Sequence, residues 1–358
     1  MNSAQLNPDL RAAIADLTPV NPWEGLLRFS IFGGVFFSLA ALAWGFQYSS
    51  LIGNAAIKPI AFCLTTAIAG VIYAFWLICT HDMVHQTLTG WPWFETALPR
   101  LISWPMGWPY GLYAELHRLH HGWNGVDLRD PERVQWTVTE YETTIPFLRW
   151  YVRHQWLIDI LLLGGIGLIL KTFAHALRLQ AVTPGLRQQL RLDITGIVAV
   201  QGVLVTLAFW QQQLLTYLLF WLMLERVIGV VMQTRDHLEH YGLWGKTSNY
   251  QLTQLYACRN LQVPLWVNGV MGGLPYHGVH HAFPEIPASH LPEAFERLQA
   301  VLQHHGLPPM VFDPGYGKTT WQISQHPTVI DTLVTAKAAG GDRPGRNPMI
   351  PVYLMNNS

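Results

Sequence analysis

Residues 29–47 form a continuous apolar run without a charge, and residues 56–80 form a second one, interrupted only by Lys58 near its start. Each is close to the roughly 20 residues a helix needs to cross a hydrocarbon layer. A polar turn at 47–54 separates them, so the pair predicts a membrane hairpin, with Lys58 snorkelling to the interface. Residues 194–210 and 214–231 repeat the pattern, joined by Gln211, Gln212 and Gln213. Buried helices of a soluble core are the competing reading, and charge-free runs of this length argue against it. Composition agrees. Charged residues are 12% of the 358 and hydrophobic residues 50%, whereas a soluble domain carries about 25% charge. The formal net charge of zero gives no footprint for nucleic acid.

Between the hairpins the chain changes character. Residues 86–113 are rich in Trp, Pro and Gly (Trp91, Pro92, Trp93, Trp104, Pro105, Trp108, Pro109), which breaks long helices and suits the headgroup level of a bilayer. Residues 127–133, Asp-Leu-Arg-Asp-Pro-Glu-Arg, read as a solvated loop or cap outside the membrane. Residues 156–171 are apolar but short, with Gly164, Gly165 and Gly167 at their centre. After Tyr250 the chain is soluble in character, and 263–271 is too short to cross. Residues 291–302 have helical periodicity and are expected to cap the histidines described next. The tail after Arg343 is rich in Pro, Gly and Asn and reads as poorly ordered. The polar N-terminus, with Pro19 and Pro22 before any apolar run, does not read as a cleavable signal peptide.

Histidines cluster at the ends of the apolar runs. His117, His120 and His121 stand at i, i+3 and i+4, which places three imidazoles on one helical face. His277, His280 and His281 repeat that pattern. His81 and His85 lie one helical turn apart, and Asp236-His237-Leu-Glu-His240 forms a fourth cluster. Neutral imidazole is the commonest protein metal ligand. Nine candidates (His81, His85, His117, His120, His121, His240, His277, His280, His281) exceed one coordination sphere, so two ions are the economical reading. Cys63, Cys79 and Cys258 make no CxxC pair and fall in no histidine cluster. Structural zinc usually recruits cysteine. An all-nitrogen, two-ion set at a membrane surface therefore fits iron, and oxygen chemistry is what such iron serves. Soluble di-iron bundles use Glu-x-x-His carboxylate motifs instead, and no pair of these stands out here.

His81-x3-His85, His117-x2-His120-His121 and His277-x2-His280-His281, interleaved with membrane hairpins, resemble the membrane fatty acid desaturase and hydroxylase superfamily across residues 29–303. The last box, from Tyr276 to Pro287, resembles the desaturase branch. The resemblance implies a non-haem centre of two Fe2+ ions that activates dioxygen with electrons from a ferredoxin or cytochrome-type donor protein. It implies removal of hydrogen from an unactivated methylene of a lipid acyl chain. It also implies a ligand at the end of the last membrane helix, for which His240 is the choice because His240-Tyr-Gly resembles the box of alkane hydroxylases. Family members often carry Asn four residues earlier. This chain has Asp236, which could bind iron directly or through water. His237 is the second candidate there. Asp82 could fix the tautomer of a ligating imidazole or end a helix. Asn124, Asp127 and Asn268 could support the ligands or serve as loop and cap residues. Tyr276 reads as packing, and His154, His175, His290, His304, His305 and His326 read as non-ligands. Glu225 and Arg226, inside the last run, must pair or snorkel, or touch a substrate headgroup.

Histidines that meet must share one side of the bilayer, so an even number of crossings separates the first two clusters from the last two. That parity assigns 156–171 an interfacial or re-entrant course. The expected fold is an all-α integral membrane protein. Four transmembrane helices (29–47, 56–80, 194–210, 214–233) form two hairpins, and a cytoplasmic helical cap carries the histidine boxes. An N-terminal cytoplasmic segment occupies 1–28, the membrane domain 29–305 and a C-terminal tail 306–358. Arginines crowd the histidine side and are absent near Tyr48 and Gln212, which places that side in the cytoplasm. Carotenoid hydroxylation or ketolation, alkane-type hydroxylation and decarboxylation to terminal alkenes would use the same boxes. A histidine-rich metal transporter would instead string them across the bilayer.

Overall fold

A computed structural model describes residues 3–48, 57–247, 249–325 and 329–330. Most of the expected turn at 47–54, the tail after Arg343 and His326 lie outside the described residues. In chain order the helices are α1 (Ser3–Ile14), α2 (Pro22–Tyr48), α3 (Ile57–Val84), α4 (Pro92–Ser103), α5 (Tyr110–Trp123), α6 (Val138–Thr143), α7 (Pro146–Leu157) and α8 (Gly164–Leu179). They continue as α9 (Gly185–Trp210), α10 (Leu214–His240), α11 (Tyr250–Ala257), α12 (Leu265–Val270), α13 (His277–Ala282), α14 (Leu291–His304) and α15 (Tyr316–Gln325). Two three-residue strands, β1 (Asn260–Gln262) and β2 (Phe312–Pro314), pair in parallel. The chain divides into two compact units. One comprises Asn21–His117 and Asp159–Gln233, the other Met1–Val20, Arg118–Ile158 and Thr234–Ser358.

In the first unit α2 and α3 pack along their length. Gly25 lies against Leu88, Arg28 pairs with Asp82, Gly33 meets the Trp76 ring, and Phe36 meets Tyr73 at 4.6 Å. Partner numbers fall as α2 rises, so the two helices run antiparallel, as a hairpin requires. The turn of the last pair falls where expected, and Tyr217 of α10 donates to Gln201 Oε1 of α9 at 2.8 Å. α9 ends at Trp210, Gln212 takes a left-handed φ of 57°, and α10 starts at Leu214. Large apolar side chains such as Val198, Val203, Phe209, Leu215 and Leu218 stand exposed on these helices, a face suited to acyl chains rather than water.

Residues 156–171 are not a short isolated segment. A π-helical turn, Ile158–Leu163, joins α7 to α8, and Pro146–Leu179 becomes one of five helices long and apolar enough to cross a membrane. The other four are the expected spans, extended to Pro22–Tyr48, Ile57–Val84, Gly185–Trp210 and Leu214–His240. The π-turn is repaired by α10: Arg226 donates to the carbonyls of Leu162 (2.6 Å) and Leu163 (2.9 Å), and Glu225 accepts from the Ile166 N–H (2.6 Å). Backbone groups released by a π-turn need such partners where water is scarce. Glu225 and Arg226 also pair with each other, as their depth in the run demanded.

The second unit has an apolar core of its own. Leu6, Leu10 and Ile14 of α1 pack with Leu291, Ala294, Phe295, Leu298 and Leu302 of α14, and with Val279 and Ala282 of α13. The periodicity of 291–302 thus makes a helix as expected, and its apolar stripe rests on the short helix that carries the last histidine box. The N-terminal segment, read as merely polar, contributes one turn after another to this core. The four residues it puts into the core, Leu6, Leu10, Ile14 and Leu17, are too widely spaced to register as a run. Arg259 ties the segment after α10 together through Asp313 and the carbonyls of Leu238 and Tyr241.

Helix α10 approaches the start of α8 at Gly229, where a Cβ would lie 2.1 Å from the Gly165 nitrogen. Gly229→Ala should therefore destabilise the protein by about 1–3 kcal/mol, read as a lower thermal midpoint in detergent. Gly202→Ala, whose Cβ meets nothing within 4 Å, should leave the midpoint unchanged.

Candidate metal centre

The nine candidate histidines divide between the units. In the first, His81 and His85 end α3 and His117 lies on α5. The His85 and His117 Nε2 atoms are 3.1 Å apart, and the His81 ring centre lies 4.8 Å from that of His117. Tyr113, one turn before His117, stacks on its ring at 5.2 Å. Asp82 is buried, accepts from Arg28, and lies 3.3 Å from His81 Nδ1.

In the second unit the other six gather. His240 Nε2 lies 3.1 Å from His120 Nε2 and 3.0 Å from His277 Nε2. His121 stacks in parallel on His281 at 4.0 Å and sits 4.9 Å from His280. All six are buried. Helical spacing explains the local part: α5 presents His117, His120 and His121 on one face, and α13 presents His277, His280 and His281.

Two of these rings are held from behind. Asp130 accepts from His120 Nδ1 at 2.9 and 3.0 Å, and Gln254 Oε1 accepts from His281 Nδ1 at 3.2 Å. With Nδ1 committed as a donor, Nε2 keeps its lone pair for a metal. Burial, followed by the neighbouring His240 and His280 imidazoles, pushes His277 well below the usual histidine range. Burial, then His121 and His277, does the same to His281. Both are neutral, the form that binds metal. Burial works against charge on His120 too, but the Asp130 and Glu132 carboxylates outweigh it and lift that ring to about 9. A metal ion there would displace the proton.

The donor set fits a first-row metal. Two imidazole nitrogens at right angles around an ion, each at about 2.1 Å, are about 3.0 Å apart, which is the separation of the His240 pairs. His277 Nδ1 and His281 Nε2 are buried without a hydrogen-bond partner, a costly state for polar atoms that nothing else explains.

Cysteine is not absent from the cluster, contrary to the sequence reading. Cys258 lies with His240, His277 and His281, their ligand atoms all within 4.8 Å of one another. Its Sγ faces His240 Nδ1 at 3.9 Å and accepts from Asn124 Nδ2 at 3.1 Å. It sits behind His240, on the side away from the converging Nε2 atoms. Burial holds its thiol well above its ordinary value. Asn124 reaches the centre only through Cys258 and Gln254. Asp236 is buried and acts on His120 through its charge. The His237 ring packs edge-on against Trp156. Asp127 pairs with Arg129, and Asn268 is buried on α12.

Residues 127–133 are not simply a solvated loop. Asp130 is 3% exposed and braces His120, and the Glu132 carboxylate lies 3.8 Å from His120 Nε2. Glu239 stands 3.5 Å from His277 Nε2. None of Asp130, Gln254, Glu132 and Glu239 belongs to a periodic pattern. Only the position of Glu239 between His237 and His240 flagged it.

The sequence model of the fatty acid desaturase family matches residues 57–312. The chain belongs to this family. A Delta 8-(E)-sphingolipid desaturase of Kluyveromyces lactis is 20% identical over 293 residues, 75% of this chain and 48% of that protein. A Delta(5) fatty acid desaturase of Caenorhabditis elegans is 23% identical over 263 residues, 66% of this chain and 57% of that protein. The chain spans about half the length of the curated relatives it matches. With five long apolar helices, this member of the desaturase family is an integral membrane protein whose histidine clusters are suited to metal.

Asp130→Asn should leave the fold intact and weaken metal retention about 10- to 100-fold, measured by chelator competition on the purified protein. Retention equal to wild type would sink the bracing role.

Proposed function

We propose that this chain is a desaturase that introduces a carbon–carbon double bond into a lipid acyl chain, consuming dioxygen and electrons from a separate ferredoxin or cytochrome-type protein. The single observation that carries the reading is the convergence of the His120, His240 and His277 Nε2 atoms at 3.0–3.1 Å in a chain of this family. Two iron ions are the cofactor. His81, His85 and His117 serve as ligands in one unit, and His120, His121, His240, His277, His280 and His281 in the other. When bound, iron supplies the dioxygen activation that hydrogen removal from an unactivated methylene requires.

The protein's own groups have separate tasks. Asp130 and Gln254 orient His120 and His281 so that the free lone pair is Nε2. Asp82, anchored by Arg28, steadies His81. Cys258 and Asn124 back His240. Asp236 contributes negative charge close to His120 and remains a candidate ligand, directly or through water. Burial of all six imidazoles in the second unit keeps bulk water from the reacting centre.

The membrane arrangement follows the arginines. Residues 29–47, 56–80, 194–210 and 214–233 cross the bilayer as two hairpins, and the helix through 156–171 lies at the interface or re-enters. The histidines face the cytoplasm. The membrane domain is 29–305, flanked by a cytoplasmic segment and a tail.

Expression in a host fed fatty acids, followed by mass spectrometry of lipids, should reveal a new double bond. A hydroxyl or a volatile alkene would select a different oxidation. His120→Ala should abolish the product and lower bound iron. Full activity with full iron content would refute the role of that residue.

A further inference from the structure

Helix α5 carries His117, yet its own sequence does not cap its start. The residue before Tyr110 is Pro109, which offers no side-chain acceptor for the exposed N–H groups of a first turn. The acceptor comes from α9. Asp193 Oδ2 takes the Leu112 N–H at 2.9 Å, the Gly111 N–H also turns to this carboxylate, and Asp193 Oδ1 takes the Trp104 Nε1–H at 3.0 Å. Asp193 is fully buried and sits just ahead of the uncharged stretch of an apolar helix. A carboxylate at such a place is costly and calls for an explanation. The positive end of the α5 dipole and three convergent donors supply it.

The neighbouring residues are fitted to this contact. A Cβ at Gly111 would lie 2.3 Å from Gln189 Oε1, the tip of a flexible side chain, and 3.1 Å from Asp193 Oδ2, so a larger residue there would displace Gln189 and crowd the carboxylate. Arg100 holds Gln189 at 3.0 Å. Further along, the Glu115 carboxylate of α5 lies against Gly185, the first residue of α9, with 3.6–3.7 Å to a Cβ built there. Partner numbers on α9 fall as those on α5 rise, so the two helices run antiparallel.

We propose that Asp193 is a positioning residue for His117, fixing the height and rotation of α5 so that His117 meets His85. His117 is five residues beyond Leu112, about 7.5 Å along the axis, on a rigid rod with no bend between. All the groups facing Asp193 are donors, so charge and two accepting oxygens are both used. An amide in its place would turn an N–H toward one of those donors. The inference rests on the metal-binding reading above for its consequence, though not for its geometry.

The test uses the full-length protein in detergent. In metal-free protein, Asp193→Asn should speed amide hydrogen exchange across Gly111–His117 roughly five- to tenfold, the effect of losing a cap. In iron-loaded protein it should speed iron loss to a chelator about tenfold. Gly111→Val, whose branched side chain crowds the carboxylate without removing it, should do the same and serves if the first variant does not fold. Unchanged exchange in both variants overturns the proposal. Faster exchange with wild-type iron retention also overturns it, because the cap would then hold a helix without placing a ligand. A wild-type protein that retains no iron, while exchange still rises in the variants, would sink the metal reading and leave Asp193 as the anchor of α5.

Discussion

An imidazole has two nitrogens, and the arrangement of this protein depends on which of them is left available. A buried ring whose Nδ1 is committed to Asp130 or Gln254 can offer only Nε2, and its plane is then fixed. Six buried rings packed together would be unstable if all were charged. Burial and mutual repulsion keep His277 and His281 neutral, which leaves lone pairs for a metal. The Nε2 atoms of His120 and His277 both converge on that of His240.

The scaffold answers the same need for order at a larger scale. α13 is only six residues long and could not hold three histidines by itself. It is held because Val279 and Ala282 face the apolar stripe of α14, which is closed from another side by α1. The first unit relies on polar groups within apolar helices. Glu225 and Arg226 satisfy a π-turn, and Asp193 satisfies the start of α5. Each is a charged group where lipid-facing helices normally exclude charge, and each is matched by backbone groups that lack partners of their own.

These matched pairs also explain where reading the chain alone succeeded. Histidine boxes repeat at i, i+3 and i+4, so their faces were legible from helical geometry, and the long charge-free runs could hardly be anything but helices. Parity gave 156–171 an interfacial or re-entrant course; that it continues as one helix from Pro146 to Leu179 was not legible, because its π-turn is repaired by Arg226, more than sixty residues away. Asp130 was taken for a loop residue because Asp-x-x-Asp-Pro-Glu is what solvated loops contain. Its burial depends on where His120 is delivered by another element.

The amino-acid sequence by itself determined four of the long apolar helices and the helical faces that carry imidazoles, and its histidine boxes carried the resemblance to the desaturase family. The helices and faces follow from periodicity and apolar length, which are local. Tertiary structure alone decided which nitrogen of His120 and of His281 is held from behind, that Cys258 stands behind His240, and that Asp193 and Asp130 are buried and occupied. These are pairings between residues up to 89 positions apart. A contact of that span leaves no periodic trace in a chain, because its energy is realised only when separate elements have packed.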